Sequence, residues 1–142
     1  MELRQVTPRY FVSPQISAAD VPTLAEAGFT HVICNRPDAE VPPTHQAEAI
    51  GAAVRAAGLA FVVNPLTHDT MTAERQAEQR RALDLEDSKV LAYCASGTRS
   101  TVIWCLGHAA DLGAETVLQA AAAAGYDLAA LRPRLDAVSA GG

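Results

Sequence analysis

Lys89-Val90-Leu91-Ala92-Tyr93-Cys94-Ala95-Ser96-Gly97-Thr98-Arg99-Ser100 runs from an apolar strand through a short glycine-containing turn into a helical pattern that places Val102, Ile103, Leu106 and Ala110 toward the core. A strand that becomes a helix across so few residues points several backbone N–H groups into the turn, and the helix N-terminus adds partial positive charge there. Both effects favour Cys94 as a thiolate, and Arg99 closes the turn with a cation. Cys94 is therefore the expected nucleophile and Arg99 the expected anion-binding side chain. Ala95, Ser96, Gly97, Thr98 and Ser100 form the expected cradle for substrate, with the Ser100 hydroxyl as an extra donor.

On either side of this stretch, strand and helix patterns alternate. Arg9–Ser13 reads as a first strand, and Ser17-Ala18-Ala19-Asp20 has capping-box spacing that opens a helix ended by Gly28. Thr30–Asn35 is a β-branched, buried strand, followed by the loop Arg36-Pro37-Asp38-Ala39-Glu40. A helix runs from Pro43-Thr44 to Gly58, then a strand over Leu59–Asn64 and a loop over Pro65–Thr70 carrying His68 and Asp69. Thr72 caps an exposed helix charged at Glu74, Arg75, Glu78 and Arg81. After Gly113 an alanine-rich pattern, interrupted at Gly125-Tyr126 and at Pro133, gives two terminal helices, and Gly141-Gly142 should fray. The alternation predicts an α/β fold of three layers, a mainly parallel central sheet flanked by helices. Such sheets bind ligands at the carboxyl ends of their strands, where Cys94, Asn35-Arg36 and His68-Asp69 all fall.

The 142 residues, 49% apolar, have the length and composition for one core, so residues 1–142 read as a single catalytic domain. A net charge of −5 with Lys89 as the sole lysine leaves no basic stripe, which excludes nucleic acid as a partner. The start Met1-Glu2-Leu3-Arg4-Gln5 lacks a signal pattern, and the alanine-rich stretches are too short and interrupted to span a bilayer, so a cytoplasmic protein without a membrane partner is expected. Cys34, Cys94 and Cys105 are an odd count without paired spacing, which fits a reducing compartment. No metal or cofactor is signalled, and the oligomeric state is not legible.

Secondary roles divide between packing and chemistry. Asn35, Arg36 and Glu40 read first as loop-packing residues, an Arg–Glu pair bracing the nucleophile loop, with substrate contact as the alternative. Cys34 and Cys105 sit on apolar elements and read as core residues, with a resolving thiol for Cys94 as the alternative. Asp69 is either a helix-entry residue or a loop acid, with His68 as its weaker substitute.

Together, the Cys loop ending in Arg99-Ser100, the stretch Asn35-Arg36-Pro37-Asp38-Ala39-Glu40 and the intervening Asp69 loop resemble the phosphatase-like domain associated with β-lactamase-like hydrolases of sulfide metabolism. The resemblance covers nearly the whole chain. It implies a dual-specificity-phosphatase-like fold with Cys94 as nucleophile and Arg99 as anion-binding arginine. Protein tyrosine phosphatases place five residues between cysteine and arginine, whereas here only Ala95, Ser96, Gly97 and Thr98 intervene. The missing residue is worth up to about 3.5 Å of chain, comparable with the anion to be encircled. Cys-x-Ser-Gly-x-Arg-Ser also resembles the loop of single-domain rhodaneses, which cradles the smaller outer sulfur of a persulfide.

The expected function is therefore sulfur transfer. Cys94 would take sulfur from a small anionic donor, hold it as a persulfide and pass it to a thiol acceptor, with no general acid. The alternative is phosphoester hydrolysis through a Cys94 phosphoenzyme, with Asp69 protonating the leaving group. A third reading is a thiol-based redox sensor or anion-binding module.

Overall fold

The computed structural model describes residues 1–140. The short β-branched and aromatic runs form five strands, β1 (Arg4–Thr7), β2 (Tyr10–Ser13), β3 (His31–Cys34), β4 (Ala60–Val63) and β5 (Val90–Tyr93). They lie in the order β1-β2-β5-β3-β4, antiparallel only between β1 and β2. Strand β5 is central, with Val12 beside Ala92 on one side and Ile33 beside Ala92 on the other.

Side chains alternate across the pleat and divide the core into two clusters. Val32, Cys34, Leu91 and Tyr93 face one side, where they pack with Leu24 of α1 (Val21–Glu26) and Ile50 and Val54 of α2 (Ala47–Ala56). Tyr10, Val12, Ile33, Val90 and Ala92 face the other. That face is covered by α4 (Thr98–Leu112), around which α3 (Ala73–Leu83), α5 (Ala114–Ala123) and α6 (Arg132–Ser139) pack. This is the expected α/β arrangement of a mainly parallel sheet with helices on both faces.

Four local expectations change, the first being that the helix expected from Pro43-Thr44 begins only at Ala47, after a 3-10 turn over Pro43–His45. A strand precedes Arg9–Ser13: β1 contributes only Val6 to the core, and so carries no alternating apolar pattern of its own. The Ser17 segment begins as a 3-10 turn in which the Asp20 carboxylate accepts from the Ser17 N–H at 2.9 Å, and α1 starts only at Val21. Along α4, Ala110 is exposed and Ala109 is buried, because the helix is enclosed on nearly every side from Ser100 to Gly107. The Thr72 cap is as expected, accepting from the Arg75 N–H at 3.3 Å. Gly141-Gly142, expected to fray, lie outside the described residues. No helix among the described residues is long and apolar enough to cross a membrane.

Candidate active site

Cys94 is the first residue beyond the central strand and is fully buried at the base of the turn leading into α4. The Gly97 N–H donates to its sulfur at 3.1 Å. Gly97 adopts φ +94°, a conformation open to glycine, and this left-handed residue lets four residues fold back over the sulfur. The turn is tied into the helix by Thr101, whose N–H and hydroxyl both donate to the Gly97 carbonyl, at 3.0 and 2.8 Å. On the outer surface the Ser96 hydroxyl donates to Thr98 Oγ1 at 3.0 Å. Ala95 is exposed.

Arg99 reaches back across the sheet ends. Its Nη1 donates to Glu40 Oε2 and to the Leu66 carbonyl, both at 2.8 Å, and its Nη2 to Glu40 Oε1 at 2.7 Å. Arg36 donates from Nε to the same Glu40 oxygen at 3.2 Å. Glu40 is thus held between two guanidiniums, and the Arg99 hydrogen bonds pull its carboxyl below the ordinary carboxylate range. The same bonds raise the already high Arg99 value, with Cys94 adding to the effect, so Arg99 stays a fixed cation beside the sulfur. Its bonds to Glu40 and Leu66 use three of the five guanidinium N–H groups, and the Cys94 sulfur lies within its reach.

Behind the turn lies a buried polar network that the sequence reading did not identify. Gln79 Oε1 accepts from the amides of Asn35 and Asn64, both at 2.9 Å, and Gln79 Nε2 donates to the Tyr10 hydroxyl at 2.9 Å and to Asn35 Oδ1 at 3.0 Å. Tyr10 in turn donates to the Ser100 carbonyl at 2.7 Å, and the Ser100 hydroxyl donates to Asn35 Oδ1 at 2.9 Å. One network therefore joins the carboxyl ends of β3 and β4 to the first turn of α4. This corrects the role given to the Ser100 hydroxyl: it is spent on Asn35 and is not offered to the sulfur or to substrate. The Asn35 side chain is buried and its hydrogen bonds run to Asn64, Gln79 and Ser100.

The loop after β4 is anchored at Leu66, whose N–H donates to the Asn35 carbonyl at 2.8 Å and whose carbonyl takes the Arg99 bond. Beyond it, Thr67 and Thr70 close a turn, with the Thr67 N–H donating to Thr70 Oγ1 at 2.9 Å. His68 and Asp69 project from that turn, both exposed, and no hydrogen bond holds the Asp69 side chain among the described residues. The helix cap belongs to Thr72, so the helix-entry role considered for Asp69 is already filled. A cavity of about 330 Å³ separates this loop from residues 127–134, with Met71, Val102, Leu128 and Leu131 among its walls and His68, Thr98 and Arg134 also lining it.

The other two thiols are packed in the core. Burial raises the Cys34 thiol, and its sulfur donates to the Arg36 carbonyl at 3.3 Å. Burial pushes Cys105 up to about 12. The hydroxyl of Tyr93, beside Cys34, is buried without a hydrogen-bond partner among the described residues.

A family profile described as "Beta-lactamase hydrolase-like protein, phosphatase-like domain" matches residues 2–111. A beta-lactamase hydrolase-like protein of Xylella fastidiosa is 33% identical over 112 residues, covering 78% of this chain and 26% of that protein, so the chain spans about a quarter of the length of such relatives. Among solved structures, a candidate phosphatase of Neisseria meningitidis superposes with a TM-score of 0.83 at 30% identity, covering 97% of this chain and 99% of that one. The P. aeruginosa protein TpbA in complex with pTyr shares the fold, with a TM-score of 0.61 at 18% identity over 99% of this chain and 91% of its own. With the cysteine loop, the arginine and the sheet order in place, the chain belongs to the phosphatase-like domain family of the beta-lactamase hydrolase-like proteins.

Proposed function

We propose that the chain hydrolyses phosphomonoesters through a Cys94 phosphoenzyme. The observation that carries this reading is the Gly97 N–H aimed at the Cys94 sulfur at 3.1 Å, beside an arginine that Glu40 fixes next to that sulfur. The family and the structural likeness to phosphatases support it and reverse the order expected from loop length. The short arc does not dismantle the anion nest, because Gly97 closes it through a left-handed backbone.

In the first step the Cys94 thiolate attacks phosphorus in line. The S–P bond forms as the bond to the leaving oxygen breaks, and Asp69 transfers its proton to that oxygen. Arg99 and the loop amides balance the charge on the equatorial oxygens. In the second step water attacks the phosphocysteine, its proton passes to Asp69, and phosphate leaves as the thiolate is regenerated. The cavity beside His68 and Thr98 is suited to the apolar body of the alcohol being released.

Sulfur transfer is the second reading, favoured by one observation, the four-residue arc that closes tightly on a fully buried sulfur. The two separate on Asp69→Asn. A phosphatase needs the proton for a poor leaving alkoxide and should lose about 10²–10⁴-fold in hydrolysis of an alkyl phosphate, whereas sulfur transfer releases a stable anion and should change little. Parallel assays with an alkyl phosphate and with thiosulfate decide: sulfur transfer in both proteins without phosphate release would overturn the proposal.

A further inference from the structure

We propose that Tyr126 is a positioning residue for the nucleophile, holding the Ser96–Gly97 peptide so that its N–H faces the Cys94 sulfur. This rests on Cys94 being the reactive group, as the phosphatase reading requires. The Tyr126 hydroxyl donates to the Ser96 carbonyl at 2.9 Å, and the Gly97 N–H donates to the sulfur at 3.1 Å. Those two groups are the ends of one peptide unit. A trans peptide is planar, with its C=O and N–H pointing in opposite directions, so holding the oxygen outside fixes the hydrogen inside. Were this peptide to rotate, a carbonyl oxygen would face the thiolate in place of a donor. Glycine offers little resistance to such a rotation, and Gly97 is the residue at positive φ. Tyr126 supplies the missing resistance.

The ring also occupies the space next to the Gly97 Cα, where a Cβ would collide with the Tyr126 hydroxyl. Tyr126 is itself pinned: its N–H donates to the Ala121 carbonyl at 2.9 Å, and the Arg4 guanidinium lies over the ring, 5.6 Å from its centroid. Arg4 is held in turn by a bond from Nη1 to the Ala124 carbonyl at 3.3 Å. Burial raises the phenol above its ordinary value, so it remains a donor across the working pH range. In a four-residue arc each amide is a larger share of the field on the sulfur than in a longer loop.

Tyr126→Phe deletes the hydroxyl and keeps the ring. Iodoacetamide labelling of Cys94, read by peptide mass, should slow about tenfold, because the sulfur loses the donor held toward it. Of the titratable and charged groups that interact with Cys94, namely Arg99, Tyr10, Cys34 and Tyr126, only Tyr126 is changed by the substitution. With p-nitrophenyl phosphate, kcat should fall about tenfold while KM moves less, and circular dichroism should be unaltered. Labelling curves that superpose for wild type and Tyr126→Phe would overturn the proposal. If wild type releases no phosphate from any ester, the phosphatase reading fails, while the labelling comparison still decides the role of Tyr126.

Discussion

Gln79→Met should destabilise the protein by about 3 kcal/mol, and the figure follows from the network. The substitution keeps a side chain of similar length and deletes four hydrogen bonds, to Asn35 twice, to Asn64 and to Tyr10. Each is worth about 0.5–1.5 kcal/mol net. No partner is fully orphaned: Asn35 keeps the Asn64 carbonyl, Asn64 keeps the Arg75 carbonyl, and Tyr10 keeps Ser100. Gln79 is 1% exposed, so water does not replace what is lost, while the apolar thioether recovers part of the cost by burial. Urea unfolding gives the free energy directly, and the thermal midpoint should fall by about 10 °C. Because Ser100 and Asn35 are joined through this network to the Cys94 turn, phosphate release measured well below the new midpoint should fall as well. A loss below about 1 kcal/mol with unchanged activity would refute the idea that this network holds the turn in place.

Two further outcomes follow from the surroundings of the loop. Glu40 has its carboxyl lowered by Arg99, so the stability it lends is present above the ordinary glutamate value of 4.5 and is lost as pH falls through the lower folded value. The thermal midpoint of wild type should therefore drop more steeply than that of Glu40→Gln between about pH 5 and about pH 3; parallel curves would remove the pair from the account. Tyr93→Phe deletes a buried hydroxyl without a partner among the described residues and should stabilise the protein by about 1 kcal/mol in urea unfolding, whereas a loss of that size would reveal a bond to Cys34 or Gln15.

The turn, its cysteine and its arginine were legible because strand, glycine and helix follow one another within a dozen residues, so local pattern alone places them. The Arg36–Glu40 pair was legible for the same reason, being four residues apart. Gln79 was not: it lies on a helix polar on nearly every side, where nothing local distinguishes it from the exposed polar side chains around it. Tyr10 opens β2 and Asn64 follows β4, and they acquire their roles only when the sheet brings them together. Tyr126 read as part of a helix break, and its contact with Ser96, thirty residues earlier in the chain, depends on how α5 packs. The preference for sulfur transfer rests on residue count alone, whereas the turn also depends on the left-handed backbone of Gly97, which a count does not carry.

The most direct test of the central claim is the mass of the intact protein quenched during turnover of p-nitrophenyl phosphate, with a parallel sample exposed to thiosulfate. A phosphocysteine adds about 80 Da at Cys94, absent in Cys94→Ala, and that is the predicted result. A protein that never carries the phosphoryl group and instead gains about 32 Da at Cys94 from thiosulfate would contradict it.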